Sequence, residues 1–310
     1  MRNRSHHQPL LASAPSTAGF TLVEVLVATA ILMLLVVLLA NVLGSVTNLS
    51  SQASSRLNAT RLGREVFDLL GRDLSQVATT RTSLGTNAPL QFCVNPPQLA
   101  NAYKNATAVF WQAAISRDRS VGNISVVGYF VQNTSTNRGQ LRRVLLEPAD
   151  SDYAVYSSPT NWLPEATAEK FAAAAGSSAS SKADRGWVAD GVIGMWVRCL
   201  DVNGQVIATN GAGAVQNYSF DSRLGYQSGS GTNRIVYSTF ATLPAFVDIG
   251  LVCVAPKDAD RIRSLPAATA TSPLNFDSEM AAYVTAFSAS NPRVKSVTSL
   301  TRRFRLYGSY

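Results

Sequence analysis

An uninterrupted apolar run near the N-terminus restricts the folds open to this chain more than any other feature. From Leu22 to Leu43 the only charged residue is Glu24. A helix over these 22 residues is about 33 Å long, which matches the hydrocarbon core of a bilayer. An acid inside such a helix costs roughly 2–3 kcal/mol at mid-depth. The run therefore predicts a membrane-spanning helix whose single carboxylate has a specific purpose.

The charges that flank the apolar run predict its orientation. Arg2 and Arg4 precede the run, and the next positive charge after it is Arg56. The positive-inside rule then keeps the N-terminus cytoplasmic and places the rest of the chain on the other side of the membrane. A secretory signal would be cut after its apolar region, but residues 40–45 form a poor cleavage site. On hydropathy alone, an uncut signal anchor stays open as an alternative.

The residues at the start of the run form a motif of their own. The stretch G-F-T-L-V-E at 19–24 resembles the class III signal of type IV prepilins and type II secretion pseudopilins. The resemblance implies that prepilin peptidase cuts after Gly19 and methylates Phe20, the new N-terminus. Glu24 then becomes the fifth mature residue. Many pilins carry proline where this chain has Asn41, a departure that concerns the subtype rather than the family.

Cleavage at this position also accounts for Glu24. The exposed amine of Phe20 and the Glu24 carboxylate of a neighbouring subunit neutralise one another when the helices pack side by side in a filament. Breaking a buried ion pair costs about 3–5 kcal/mol, so the pair sets both assembly and register. In the alternative interpretation, Glu24 reaches the lipid headgroups from the first helical turn and only stabilises the helix N-terminus.

The apolar run continues into an amphipathic segment. The stretch RLGREVFDLLGRDLSQV, residues 61–77, places apolar residues at helical spacing and charged residues on the other faces. We predict one helix over 21–78. The predicted segments are a cytoplasmic leader (1–19), the transmembrane half of the stem helix (20–44), its amphipathic half (45–78) and an extracytoplasmic β-rich head (79–310).

Beyond residue 80, short β-rich runs alternate with stretches rich in Gly, Asn, Ser and Pro. Strands are predicted at 126–132, 140–146, 192–200, 245–254 and 301–307, with turns at 133–139 and Asn203-Gly204. A short return strand is predicted after the second turn. Loops are predicted at 150–186, 203–233 and 256–293, with short helices at 164–174 and within the last loop. An antiparallel sheet covered on one face by the amphipathic helix belongs to the α+β class.

The order of these parts resembles, more loosely, the J-type minor pseudopilin of type II secretion, over residues 19–255. The resemblance implies a subunit of the bacterial inner membrane that meets other pilin or pseudopilin subunits through its N-terminal helix. Its further partners would be prepilin peptidase, the inner-membrane assembly platform and membrane lipid. The likeness in the head rests on Tyr129, Leu141, Arg143, Val192, Gly194, Leu243 and Pro244.

Several enzyme classes are excluded by composition. The only histidines, His6 and His7, lie in the leader, so the mature chain would have no imidazole for a Ser-His-Asp or Cys-His mechanism or for a zinc site that needs histidine. No CxxC pair or phosphate-binding glycine loop occurs. We therefore expect no enzymatic activity, no cofactor and no metal. Two acidic pairs, Asp150/Asp152 and Asp258/Asp260, are predicted to be solvated loop residues.

Three widely spaced cysteines leave two alternatives open. Cys199 and Cys253 lie on strand positions that face apolar surfaces, and Cys93 lies far from both in the sequence. If the two strands are neighbours, a disulfide between Cys199 and Cys253 is geometrically reasonable. Otherwise all three are buried packing thiols.

The formal charge of +8 falls to about +6 without the leader, a mild excess over nearly 300 residues. The segment TRRFRLY at 301–307 interleaves arginine with aromatic residues, which suits a nucleic-acid backbone. Strand alternation explains it more simply, with Arg303 and Arg305 on one face and Phe304 and Leu306 on the other. Nucleic acid is therefore not expected among the partners. The alternative function is a membrane-anchored module that binds DNA or a surface ligand and never polymerises.

Overall fold

The computed structural model describes residues 19, 21–78, 90–96, 99, 104–116, 118–133, 138–151, 153–159, 161–163, 186–209, 217–224, 226–228, 235–237 and 243–306. Phe20, Asp152 and the helix predicted at 164–174 lie outside these residues. The chain divides into two units, one ending at Ser51 and the other beginning at Gln52, and each is described by itself.

One helix, α1, runs over Leu22–Leu74, a length of 53 residues. All of its side chains up to Ser51 are exposed, whereas from Ser55 onward one face is buried. The helix ends four residues before the predicted position 78. The backbone leaves the helix there because Val77 forms a β-bridge with Ala113, and the Ala78 N–H donates to the Gln112 carbonyl at 2.8 Å.

The head contains two groups of strands. In the first, β2 pairs antiparallel with β1 and β3, β4 joins β3 to β5, and β8 pairs with β1. The strands are β1 (Phe92–Val94), β2 (Lys104–Ala113), β3 (Ser125–Asn133), β4 (Arg138–Leu146), β5 (Trp187–Asp190) and β8 (Phe220–Asp221).

The second group is centred on β6, which pairs antiparallel with β11 and β7. β12 pairs with β11, and β9 lies between β7 and β10. A parallel bridge between Ala106 and Met195 joins the two groups. The strands are β6 (Val192–Leu200), β7 (Val206–Thr209), β9 (Tyr226–Ser228), β10 (Ile235–Tyr237), β11 (Phe246–Cys253) and β12 (Thr298–Arg305).

Helices cover both faces of the second group. The buried face of α1 packs against one face and forms the largest core cluster, which includes Leu70, Trp111, Tyr129, Val197 and Ile249. The other face is covered by α3 (Phe276–Ser290), which follows the short helix α2 (Pro256–Ala259) and a 3-10 turn. A third cluster packs the outer face of the first group against residues 153–163. The α+β class and a β-rich head behind a long N-terminal helix are confirmed.

The strands predicted from alternating hydrophobicity agree with β3, β4, β6, β11 and β12 to within three residues. The helix predicted within 256–293 is α3, and the short return strand predicted after the Asn203-Gly204 turn is β7. The loop predicted at 203–233 is wrong where β8 and β9 form. The sequence analysis also missed β2, which is buried on both faces and so lacks the alternation that marks a half-buried strand.

Candidate processing and assembly segment

The start of α1 is set by a side-chain cap. The Glu24 backbone N–H donates to Thr21 Oγ1 at 3.3 Å, and the Val25 N–H donates to the Thr21 carbonyl at 3.2 Å. Threonine is a preferred N-cap residue because its oxygen satisfies a donor that the first turn leaves free. Thr21 and Glu24 also have the spacing of a capping box. This role of Thr21 was not predicted, although its signal is present in the sequence: a threonine three residues before a glutamate at the start of an apolar run.

Glu24 lies in the first turn of α1 with its side chain exposed. A carboxylate there interacts favourably with the positive end of the helix dipole. No ion pair joins Glu24 to another residue in the described part of the chain. The first turn therefore holds the carboxylate in a defined place and leaves its oxygens open to a partner molecule. Gly19 lies just before this turn and is exposed, and Phe20 is outside the described residues.

The apolar half of α1 is exposed throughout. Its most apolar window of 18 residues has a mean hydropathy of 3.0, and none of that window is buried. By length and composition, this helix is able to cross a membrane. A soluble protein rarely exposes a continuous apolar surface of this size. The exposed large side chains in this half include Leu26, Ile31, Leu35, Leu39 and Leu43.

Two hydroxyl side chains within and just after the apolar half bond to their own helix. Thr29 Oγ1 donates to the Leu26 carbonyl at 2.9 Å, and Ser45 Oγ donates to the Asn41 carbonyl at 2.9 Å. Polar groups in hydrocarbon are costly unless they find a partner within the segment. These hydroxyl groups therefore fit a lipid environment, and Glu24 is the one charge that does not.

Residues 15–40 match the family model described as the prokaryotic N-terminal methylation motif. This segment fits a type IV prepilin or pseudopilin. The motif implies processing of the prepilin by prepilin peptidase and assembly with other pilin subunits, and the apolar helix indicates a single-pass membrane anchor. No curated protein and no solved structure matches the chain. The J-type likeness of the head stays a prediction.

The disulfide between Cys199 and Cys253 does not form. Their strands are neighbours, but Cys199 lies opposite Val247 and Cys253 lies opposite Val192, at the two ends of the ladder. Six residues along a strand separate the two positions by about 20 Å, far beyond the span of a disulfide. Both thiols, like that of Cys93, are free and buried. The structure therefore supports the alternative of packing thiols.

Of the aspartates predicted to be solvated, Asp260 is exposed, whereas Asp258 and Asp150 differ from the prediction. Asp258 is buried. Its carboxylate accepts a hydrogen bond from Ser296 Oγ at 2.6 Å and forms an ion pair with Arg261 at 3.2 Å. Asp150 accepts from the Glu147 backbone N–H, so it caps a turn. Among the described residues, no three His, Cys, Asp or Glu side chains converge on a point that could hold a metal ion.

The arginine-rich strand at the C-terminus alternates as predicted. Phe304 and Leu306 are buried, whereas Arg303 and Arg305 are exposed. Arg303 Nε donates to Asp248 Oδ1 at 2.7 Å. The structure thus shows a half-buried strand, and Arg303 forms an ion pair within the head.

Proposed function

We propose that this prepilin is a structural minor subunit of a type II secretion pseudopilus or a type IV pilus-like filament. One observation carries the proposal: a single carboxylate, Glu24, is held exposed in the first turn of α1, and no other charged residue occurs in the exposed apolar stretch that extends to Leu43. Removal of residues 1–19 would create a cationic amine at Phe20, close to that carboxylate in sequence.

Pairing between subunits favours assembly over simple anchoring. A charge that is left alone in lipid raises the free energy of the membrane-embedded monomer, whereas a neighbouring amine compensates it. The Thr21 cap supports this proposal because it defines where the helix begins and so where Glu24 lies relative to the new N-terminus. In the same proposal the head lies in the periplasm and the inner-membrane platform drives assembly. The role is structural, without catalysis or a cofactor.

A substitution at Glu24 tests the proposal. Glu24→Ala should leave processing and membrane insertion intact and abolish incorporation into filaments, because the amine of the neighbouring subunit loses its counter-charge. Intact mass of the mature protein reports processing, and filament shearing followed by immunoblotting reports incorporation. Glu65→Ala is the matched control, because Glu65 is an exposed acid on the amphipathic half of the same helix.

The mass measurement separates the two functions. Loss of residues 1–19 with one added methyl group is expected for the wild-type chain. A mature protein that still begins at Met1 contradicts the proposal. A chain that is cut and inserted but never enters a filament supports the membrane-anchored, non-polymerising binding module instead.

A further inference from the structure

A cationic cleft lies on the head between the end of α2 and the segment that follows α3. Its volume is about 780 Å³, and it is lined by Asp260, Arg261, Ile262, Arg263 and Arg293. Pockets of this size accommodate small organic ligands. Three of the five lining residues are exposed arginines and one is an aspartate, so the lining carries net positive charge.

Hydrogen bonds of the buried Asn291 side chain join the walls of the cleft. The Asn291 amide accepts from the Arg263 backbone N–H at 2.8 Å and donates to the Ser264 carbonyl at 2.9 Å. Ser296 links the buried Asp258 to the same segment. Because these bonds fix the backbone on both sides, the arginines are brought together by the fold itself rather than by a ligand.

The positive charge of the cleft is only partly compensated. Arg261 pairs with Asp258 at 3.2 Å, but no ion pair joins Arg263 or Arg293 to another residue that the structure describes. Further positive charge lies close by in the sequence at Lys257 in α2. Like charges held around one cleft repel each other, and an anion that enters relieves this repulsion.

We propose that this cleft binds a phosphoryl group, carried either by free phosphate or by a lipid headgroup. The planar guanidinium group of one arginine donates hydrogen bonds to both oxygens of a carboxylate. A tetrahedral phosphate accepts hydrogen bonds from several arginines at once. A cleft lined by three arginines therefore favours phosphate over an acidic side chain. The inference does not depend on filament assembly, since the cleft lies entirely within the head.

The test uses the full chain in a neutral detergent and isothermal titration calorimetry. The probes are inorganic phosphate and a short-chain phosphatidylglycerol kept below its micelle concentration. We expect one saturable site, and the double variant Arg263→Gln/Arg293→Gln should weaken binding at least tenfold, about 1.4 kcal/mol. The control Arg61→Gln/Arg119→Gln removes the same charge from two exposed positions outside the cleft and should bind as the wild type does.

Each outcome decides the proposal. Saturable binding that only the cleft variant loses supports it, and the tighter of the two probes identifies the source of the phosphoryl group. The double variant Arg263→Lys/Arg293→Lys should bind with intermediate affinity, because it keeps the charge but not the planar guanidinium group. No saturable binding of either probe, equal loss in the cleft variant and the control, or binding of an oligoglutamate peptide in place of phosphate would overturn it.

Discussion

Two aspartates of α1 show how burial decides what a single charge contributes. Asp73 is buried and accepts hydrogen bonds from Tyr129 Oη at 2.6 Å and from Arg143 Nε at 2.7 Å. Burial, and then the negative charge of Asp73, raise the pKa of Tyr129, so its hydroxyl group remains a donor. Asp68 pairs with Arg302 at 2.6 Å, but both side chains are largely exposed.

Truncating these two aspartates should therefore give different results. Asp73→Ala leaves a partly buried guanidinium and a buried hydroxyl group without their acceptor, and should lower the free energy of unfolding by about 3 kcal/mol. Asp68→Ala removes a solvated pair and should lower it by less than about 1 kcal/mol. Urea unfolding followed by tryptophan fluorescence measures both. Equal decreases in the free energy of unfolding would show that the Asp73 network contributes no more to stability than a surface ion pair does.

Lys104 predicts a pH dependence. Burial lowers the pKa of Lys104 to about 8, and its ammonium donates to the Leu99 carbonyl at 2.8 Å. In the unfolded chain the lysine pKa is about 10.4, so between these pH values the unfolded state holds more protons and rising pH stabilises the fold. The free energy of unfolding of the wild type, minus that of Lys104→Met, should rise by about 2 kcal/mol from pH 8 to 10. A difference that does not change over this pH range contradicts the argument.

Among the elements, the corner between β5 and β6 depends on a glycine. Gly191 has a φ of 89°, its N–H donates to the Gly139 carbonyl at 2.9 Å, and its carbonyl accepts from the Val254 N–H at 2.8 Å. A Cβ on Gly191 would lie 2.7 Å from the Val254 carbonyl oxygen. Gly204, in the turn before β7, has a similar φ of 75° but open space around it.

These two glycines form a matched pair of substitutions. In Gly204→Ala the only cost is that alanine must adopt the left-handed backbone conformation. This should lower the free energy of unfolding by about 1 kcal/mol. In Gly191→Ala the new Cβ also collides with the Val254 carbonyl oxygen. The decrease in the free energy of unfolding should therefore be at least twice as large. Thermal unfolding of the two variants compares them, and a larger loss at Gly204 would show that the close approach at Gly191 relaxes without cost.

For the molecule as a whole, the three cysteines report whether the head is packed as described. Cys93 lies in the cluster under residues 153–163, while Cys199 and Cys253 lie in the core beneath α1. Burial raises the pKa of all three thiols, that of Cys253 to about 12. A buried thiol with a raised pKa reacts slowly because the thiolate is the nucleophile.

The folded protein should therefore resist alkylation at neutral pH. After unfolding without reductant, all three cysteines should take up the label, as counted by intact mass. A single labelled cysteine would reveal a disulfide and contradict the three free thiols of the structure.

The sequence determined the features that depend on local pattern. An apolar run of this length, its flanking charges and the motif at Gly19 to Glu24 each act within a few turns of one helix, so hydropathy and spacing are enough to identify them. Strands such as β6 and β11 were also predictable, because glycine, proline and asparagine mark their ends.

Only the tertiary structure decided which distant residues meet. Three features depend on residues that are distant in the sequence. They are the register that separates Cys199 from Cys253, the ion pair of the buried Asp73 with Arg143, and the cleft where Arg293 lies with Arg261 and Arg263. Such contacts depend on how strands pair and how layers stack. The sequence around a side chain does not show which distant residue will pack against it.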